Sequence, residues 1–304
     1  MGHRKRSIHF GRCSVTNNRT VMRKIPGMQI MAEALTDYRR LCVHTMTTKP
    51  LTLEEAITEY TRAGIPGITV WRHHFEAMGA EEAGKRLQES GLRVVSLCRG
   101  GFFPASSARG REEARDQNRR IIDEAAAIGA PLVVLVCGAV PGMPLAEARR
   151  QIVDGIAAIL PHAAAAEVKL SIEPLHPMYA DDRSAVNTLE QANNMVSTLQ
   201  SPWLGVTVDV YHCWWDPMLK SEIARAGNRI FSFHVCDWRT PTRDLLNDRG
   251  MMGAGCIDIR GIRGWVEEAG FKGPVEVEIF SDEYWQWDQR ALIEQIKRSW
   301  LVYV

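Results

Sequence analysis

Val168–Glu173 reads VKLSIE, a short β-type run that closes on a carboxylate and passes straight into Pro174. The same construction returns three times further along, as Leu204–Asp209 (LGVTVD), Ile230–His234 (IFSFH) and Pro274–Glu278 (PVEVE). One acid at a strand end is commonplace. Glu173, Asp209, His234 and Glu278 closing four successive strands is the pattern of a closed parallel barrel, because that arrangement delivers every strand end to one face. Three carboxylates and an imidazole gathered there would repel and desolvate one another unless a divalent cation sat among them.

Outward from these runs the chain alternates throughout. Strands are predicted over 41–46, 67–71, 93–97, 132–137, 168–173, 204–209, 230–235 and 274–280. Helices are predicted near 52–63, 80–90, 111–128, 144–166, 186–199, 216–226, 258–269 and 288–300. Eight strands, each followed by a helix, is the count of an α/β fold of the (β/α)8 TIM-barrel type. Local signals agree. Thr52 and Glu55 have capping-box spacing, and Gly91, Gly129 and Gly270 stand where helices should end before the next strand. Val133–Val136 is continuously apolar, as a strand covered on both faces requires. A doubly wound open sheet would carry a glycine-rich phosphate turn after an early strand, and no GxGxxG occurs.

With 304 residues, 45% apolar and 24% charged, the chain can bury a large core, and a barrel of about 250 residues accounts for it as one domain. No apolar run approaches the ~20 residues that span a bilayer, and no signal-peptide pattern opens the chain. The seven cysteines are scattered without CxxC spacing, which suits reduced thiols in a cytoplasmic protein. Residues 1–30 form a separate basic extension, with the barrel expected over 38–304. Arg4, Lys5, Arg6, Arg12, Arg19, Arg23 and Lys24 fall in it, and the 37 basic residues less these seven leave 30 against 36 acidic ones. A mildly anionic body argues against a nucleic-acid partner, so the extension reads as a poorly packed leader.

Several residues near the predicted rim add chemistry. His176 lies in a proline-stiffened loop after Glu173, and His212 follows Asp209 by one turn. Arg239, after His234, is expected to clamp an anionic oxygen or to pair with Asp237 or Asp244. Period-two alternation sends Glu276 and Glu278 to the same side, so Glu276, one layer deeper, needs a basic partner. Trp71, Trp214, Trp215, Trp238, Trp285 and Trp287 fall at strand ends or the loops after them, where indoles can cover the C–H faces of a sugar. A carboxylate–imidazole set without cysteine suits Mn2+ foremost, then Mg2+, Co2+ or Zn2+.

In IEPLHPMYADDRS (172–184), TVDVYH (207–212), FHVCDW (233–238), DLLNDRGMMGAG (244–255) and VEVEIFS (275–281), the chain resembles the xylose-isomerase-like TIM barrel superfamily. Its members are sugar phosphate isomerases and epimerases, and they share a fold with endonuclease IV. The resemblance runs from about residue 40 to the C-terminus. It implies that Glu173, Asp209, His234 and Glu278 form a metal shell. It also matches His212 and Arg239 to substrate contacts of ketose 3-epimerases, Arg239 lying one residue closer to the histidine than in those enzymes. The third strand ends Leu97-Cys98-Arg99-Gly100 and no DxH follows His234, so the endonuclease's three-zinc site is not expected.

The leading expectation is a metal-dependent sugar isomerase or epimerase working through an enediolate, with Glu173 and Glu278 as the proton-transferring carboxylates. The alternative is a lyase acting on a 3-keto-glycoside or related keto-sugar, with His176 as proton donor or base. A non-catalytic ligand-binding barrel is a third reading, opposed by four intact donors. The expected partner is a small sugar or keto-glycoside, unphosphorylated in the absence of a glycine-rich cradle. The protein is expected to act as a homo-oligomer or with a small accessory subunit.

Overall fold

The computed structural model describes residues 32–304; the expected extension over 1–30 lies outside the described residues. The strands are β1 Leu41–His44, β2 Gly67–Trp71, β3 Arg93–Gly101, β4 Leu132–Val136, β5 Lys169–Glu173, β6 Leu204–Asp209, β7 Ile230–Val235, β8 Asp237–Trp238, β9 Arg249–Gly250 and β10 Val275–Val277. The helices are α1 Leu53–Ala63, α2 Ala80–Ser90, α3 Ala108–Ala127, α4 Leu145–Ala165, α5 Leu189–Leu199, α6 Val210–Cys213, α7 Leu219–Ala226, α8 Ile259–Glu268 and α9 Gln289–Tyr303. Eight parallel strands close in the order β1-β10-β7-β6-β5-β4-β3-β2, while β8 and β9 form an antiparallel ribbon outside the barrel. This is the expected (β/α)8 architecture.

The expected capping signals act as the chemistry requires. Thr52 and Glu55 form a reciprocal capping box at α1, and Gly91 ends α2 in the left-handed conformation. The predicted helix at 186 begins at Leu189 because Thr188 caps it, its hydroxyl accepting the Gln191 N–H. The one predicted at 216 begins at Leu219, because the Asp216 carboxylate instead accepts the Met218 N–H in a turn. Among the described residues, no helix is long and apolar enough to cross a membrane. The six described cysteines are free.

Two kinds of core result. Between sheet and helices the packing is apolar, from Leu41 and Val43 round to Val235 and Val277. Inside the cylinder, where bulky branched side chains usually fill the layers, a polar belt runs instead. Cys42, Thr69, Ser96, Ser171, Thr207 and Ser232 are fully buried around Glu276. Thr69 and Ser96 hydroxyls donate to Glu276 at 2.5 and 3.0 Å, Ser232 donates to its other oxygen, and Ser171 pairs with Thr207 at 2.7 Å.

β3 runs four residues past its expected end. Its pairing with β4 shifts register between Cys98 and Gly100, and Gly101 then sits opposite Val136. Asn118 of α3 holds both backbone groups of Gly101, accepting from its N–H and donating to its carbonyl, each at 2.7 Å. Gly101 has φ +111°, and a Cβ there would lie 1.9 Å from the Val136 carbonyl oxygen. Gly101→Ala therefore combines backbone strain with overlap against a neighbouring strand. It is expected to lower stability by on the order of 3 kcal/mol, read as a shift in the urea midpoint at unchanged slope.

Candidate metal centre

Strand register assembles the cluster. Asp209 is level with His234 across β6 and β7, Glu276 is level with His234 across β10 and β7, and Glu173 ends β5. Glu278 follows β10 directly and therefore faces the same way as Glu276, one layer higher. Glu173, Asp209, His234 and Glu278 each place one donor atom within 4.8 Å of the others. His234 Nδ1 lies 3.1 Å from Glu173 Oε1, 3.7 Å from Glu278 Oε2 and 4.0 Å from Asp209 Oδ2. All four residues are buried, and Glu173 Oε1 and both His234 nitrogens have no hydrogen-bond partner among the described residues. Buried polar atoms are rarely left so. Oxygen-rich donors with one imidazole, aimed at a common point and with unpartnered atoms on Glu173 and His234, fit a divalent cation. The four donors expected from the strand ends are thus brought together.

Beneath them lies a residue that the strand-end pattern missed. His44 closes β1 with Nε2 3.2 Å from Glu276 and Nδ1 3.2 Å from Glu278. It is the basic partner that Glu276 needed. Burial alone would raise the Glu276 carboxyl, but His234, His44 and the Ser232 hydroxyl outweigh it and hold it down to about 2.

The cation reaching the centre is Arg249, not Arg239. The β8–β9 ribbon pairs Trp238 with Arg249, and Asp237 locks the following loop by accepting the N–H groups of Gly253, Gly255 and Ile257 at 2.9 to 3.0 Å. Arg249, held between Tyr211 and Phe280, donates to Glu278 at 2.6 Å and to Asp209 at 3.3 Å. The shared cation favours its nearer partner. Glu278 is held well below the carboxylate range against burial, whereas burial raises Asp209 to about 7, with Arg249 opposing and Glu278 and Glu173 adding to the rise. Arg239 instead donates to Glu283 at 2.7 Å and lies 3.8 Å from Asp248. Neither Asp237 nor Asp244 pairs with it: Asp237 is spent on backbone N–H groups, and Asp244 accepts those of Leu246 and Asn247.

His212 does face the cluster, with Nε2 3.7 Å from Asp209. The backbone N–H of His176 donates to its Nδ1 at 3.2 Å, so the neutral ring carries its proton on Nε2. Burial, then the Arg249 charge, pushes this imidazole well below its usual value and keeps it neutral. His212 Nε2 and Arg249 Nη2 are 3.2 Å apart, and in that tautomer both present N–H groups. That pair can receive an oxygen carrying negative charge.

Aromatics wall the rim. Trp238 stacks on Tyr211 at 4.8 Å and lies 5.0 Å from the His176 ring and 5.6 Å from Trp214. His176 Nδ1 accepts the Met178 N–H, and its pKa is lowered by burial. No hydrogen bond or ion pair joins its ring to the cluster among the described residues. Trp71 donates from Nε1 to His44 at 3.2 Å. Trp285 donates to the Met46 carbonyl, Trp215 to that of His212, and Trp287 is exposed.

Fold and cluster define a (β/α)8 barrel with a carboxylate–imidazole centre at its C-terminal rim. Residues 57–301 match the xylose isomerase-like TIM barrel family, and the chain belongs to it. It is 26% identical to an inosose isomerase of Bacillus subtilis over 210 residues, 65% of this chain and 71% of that protein. It is 25% identical to a 3-dehydroshikimate dehydratase of Pseudomonas putida over 242 residues, 77% of this chain but only 37% of that longer protein. The crystal structure of protein SMc04130 from Sinorhizobium meliloti superposes with a TM-score of 0.84 at 49% identity, covering 87% of this chain and 98% of that one.

Proposed function

We propose that this protein is a divalent-metal-dependent isomerase or epimerase of a sugar or related polyol ketone. The observation that carries the reading is the convergence of Glu173, Asp209, His234 and Glu278, with buried atoms unsatisfied, beside the paired donors of Arg249 and His212. When bound, a divalent cation supplies Lewis-acid polarisation of a carbonyl and so acidifies the adjoining C–H. One of Glu173 and Glu278 removes that proton, and the other returns one on the opposite face or at the neighbouring carbon. Arg249 and the Nε2–H of His212 stabilise the enediolate oxygen. Burial of the cluster excludes water from the carbanion while it waits for its proton.

A lyase outcome shares the first step. The dehydratase relatives favour keeping it, and in that case the carbanion expels a β-substituent, with His176 at the aromatic wall as proton donor. The discriminating experiment incubates the Mn2+-loaded protein in D2O with ketoses, inososes, 3-keto-glycosides and 3-dehydroshikimate. Deuterium entering carbon without fragmentation, lost on chelation and restored by Mn2+, Mg2+, Co2+ or Zn2+, is the expected result. Loss of water with a new enone absorbance, or release of an aglycone, would assign the lyase. No exchange or elimination with any metal would reject both.

A further inference from the structure

Beside the metal centre lies a cavity of about 530 Å3 that the chemistry above does not use. Trp71, bonded to His44, and Phe280, lying 4.6 Å from the Arg249 guanidinium, belong both to its wall and to the surroundings of the cluster. Lys49, Arg99 and Arg183 also line it, against a single acid, Glu76. A fourth cation, Arg72, is neutralised by a two-pronged pair with Glu124 at 2.5 and 2.8 Å. Among the described residues the acid nearest Arg183 is a loose neighbour, Asp182, at 3.9 Å.

Arg99 is the telling residue. Its guanidinium lies 4.9 Å from the Phe102 ring and 5.7 Å from Trp71, and among the described residues it has no hydrogen bond or ion pair. Burial, then the positive charge of Arg183, lowers its pKa. Two cations face one space, Arg99 against Phe102 and Trp71 and Arg183 against Tyr179 at 5.5 Å, and among the described residues no carboxylate pairs with Arg99. Such an arrangement stores electrostatic cost until an anion enters.

We propose that this cavity receives an anionic group of the substrate, a carboxylate or a phosphate, with Arg99 and Arg183 as specificity-determining residues. The inference rests on the metal-centre reading for the other end of the substrate. It also departs from the unphosphorylated substrate expected from the missing glycine-rich cradle, since guanidinium groups can replace backbone amides as the anion's donors.

Calorimetric titration with three probes sharing one ketose frame tests it: D-fructose, D-fructose 6-phosphate and D-fructuronate. At least one anion is expected to bind at least about tenfold tighter than D-fructose, a preference that weakens as salt rises. Which anion is preferred identifies the group. Arg99→Gln should shrink the anion-to-neutral ratio by about tenfold, and Arg99→Lys should keep part of it. Equal affinity for all three probes overturns the proposal. So does failure of both anions to bind at millimolar concentration, or a preference that survives in folded Arg99→Gln/Arg183→Gln protein. The same titrations after chelation separate the two readings: an error about the metal leaves the anion preference standing, and an error about the cavity leaves metal-dependent exchange standing.

Discussion

Glu173→Gln and Glu278→Gln are each expected to lower turnover by about 10²- to 10⁴-fold, the range attached to a positioned acid or base. The amide keeps the shape of the side chain and removes both its charge and its basicity. Each carboxylate also contributes a donor to the cluster, so the variants should retain less metal as well as react more slowly. The two losses separate experimentally. At saturating Mn2+, metal content measured on the protein recovers, while deuterium exchange at substrate carbon stays low. Glu276→Gln offers a contrast, because that carboxylate lies a layer deeper among hydroxyls and His44. Its loss should fall first on stability. Unchanged turnover of every accepted substrate in both Glu173→Gln and Glu278→Gln would defeat the two-carboxylate chemistry.

Arg249→Met is expected to act on both folding and rate. The side chain is 4% exposed and bridges Glu278 and Asp209, so removing it takes a permanent positive charge from between two buried carboxylates and leaves only imidazoles beside them. Breaking such a pair from one side typically costs about 3–5 kcal/mol, and methionine fills much of the volume, so the loss reads as electrostatic. Urea unfolding of metal-free protein should show it. Added Mn2+ should restore more stability to the variant than it adds to the parent, since the cation then meets carboxylates with no resident guanidinium. Turnover should stay about 10²- to 10³-fold down even when metal is saturating, because one donor of the Arg249–His212 pair is gone. Metal-free stability equal to the parent's would refute this electrostatic role.

The four strand-end donors were legible because two regularities coincide in them. Strand alternation fixes which way a side chain points, and parallel closure fixes where the strand ends meet. His44 obeyed both rules yet was masked, since the first strand was expected to continue to Met46 and the histidine stood in its interior. Arg249 obeyed neither. It arrives on a two-residue ribbon outside the cylinder, positioned by its pairing with Trp238 and by the loop clamp of Asp237, and neither leaves a periodic trace. Arg239 closely follows His234, and on that proximity alone it suits either a clamp on an anionic oxygen or a pair with Asp237 or Asp244. Its partners are Glu283, on the loop after β10, and Asp248, at the far end of its own β8–β9 loop, and only the folded chain brings either to it. The cavity around Arg99 was hidden for a similar reason. Its cations come from the end of β3 (Arg99) and from the loops after β1 (Lys49) and β5 (Arg183), and none stands out in its own neighbourhood.

The hydroxyl belt inside the cylinder has a consequence for how this scaffold tolerates change. Oily residues outside the strands are interchangeable within limits of bulk, so that jacket can be rewritten widely without harm. The inner ring has no such latitude, because each oxygen there answers a particular neighbour and Glu276 draws on several at once. A library randomised over both shells should return diverse jackets wrapped around nearly invariant linings.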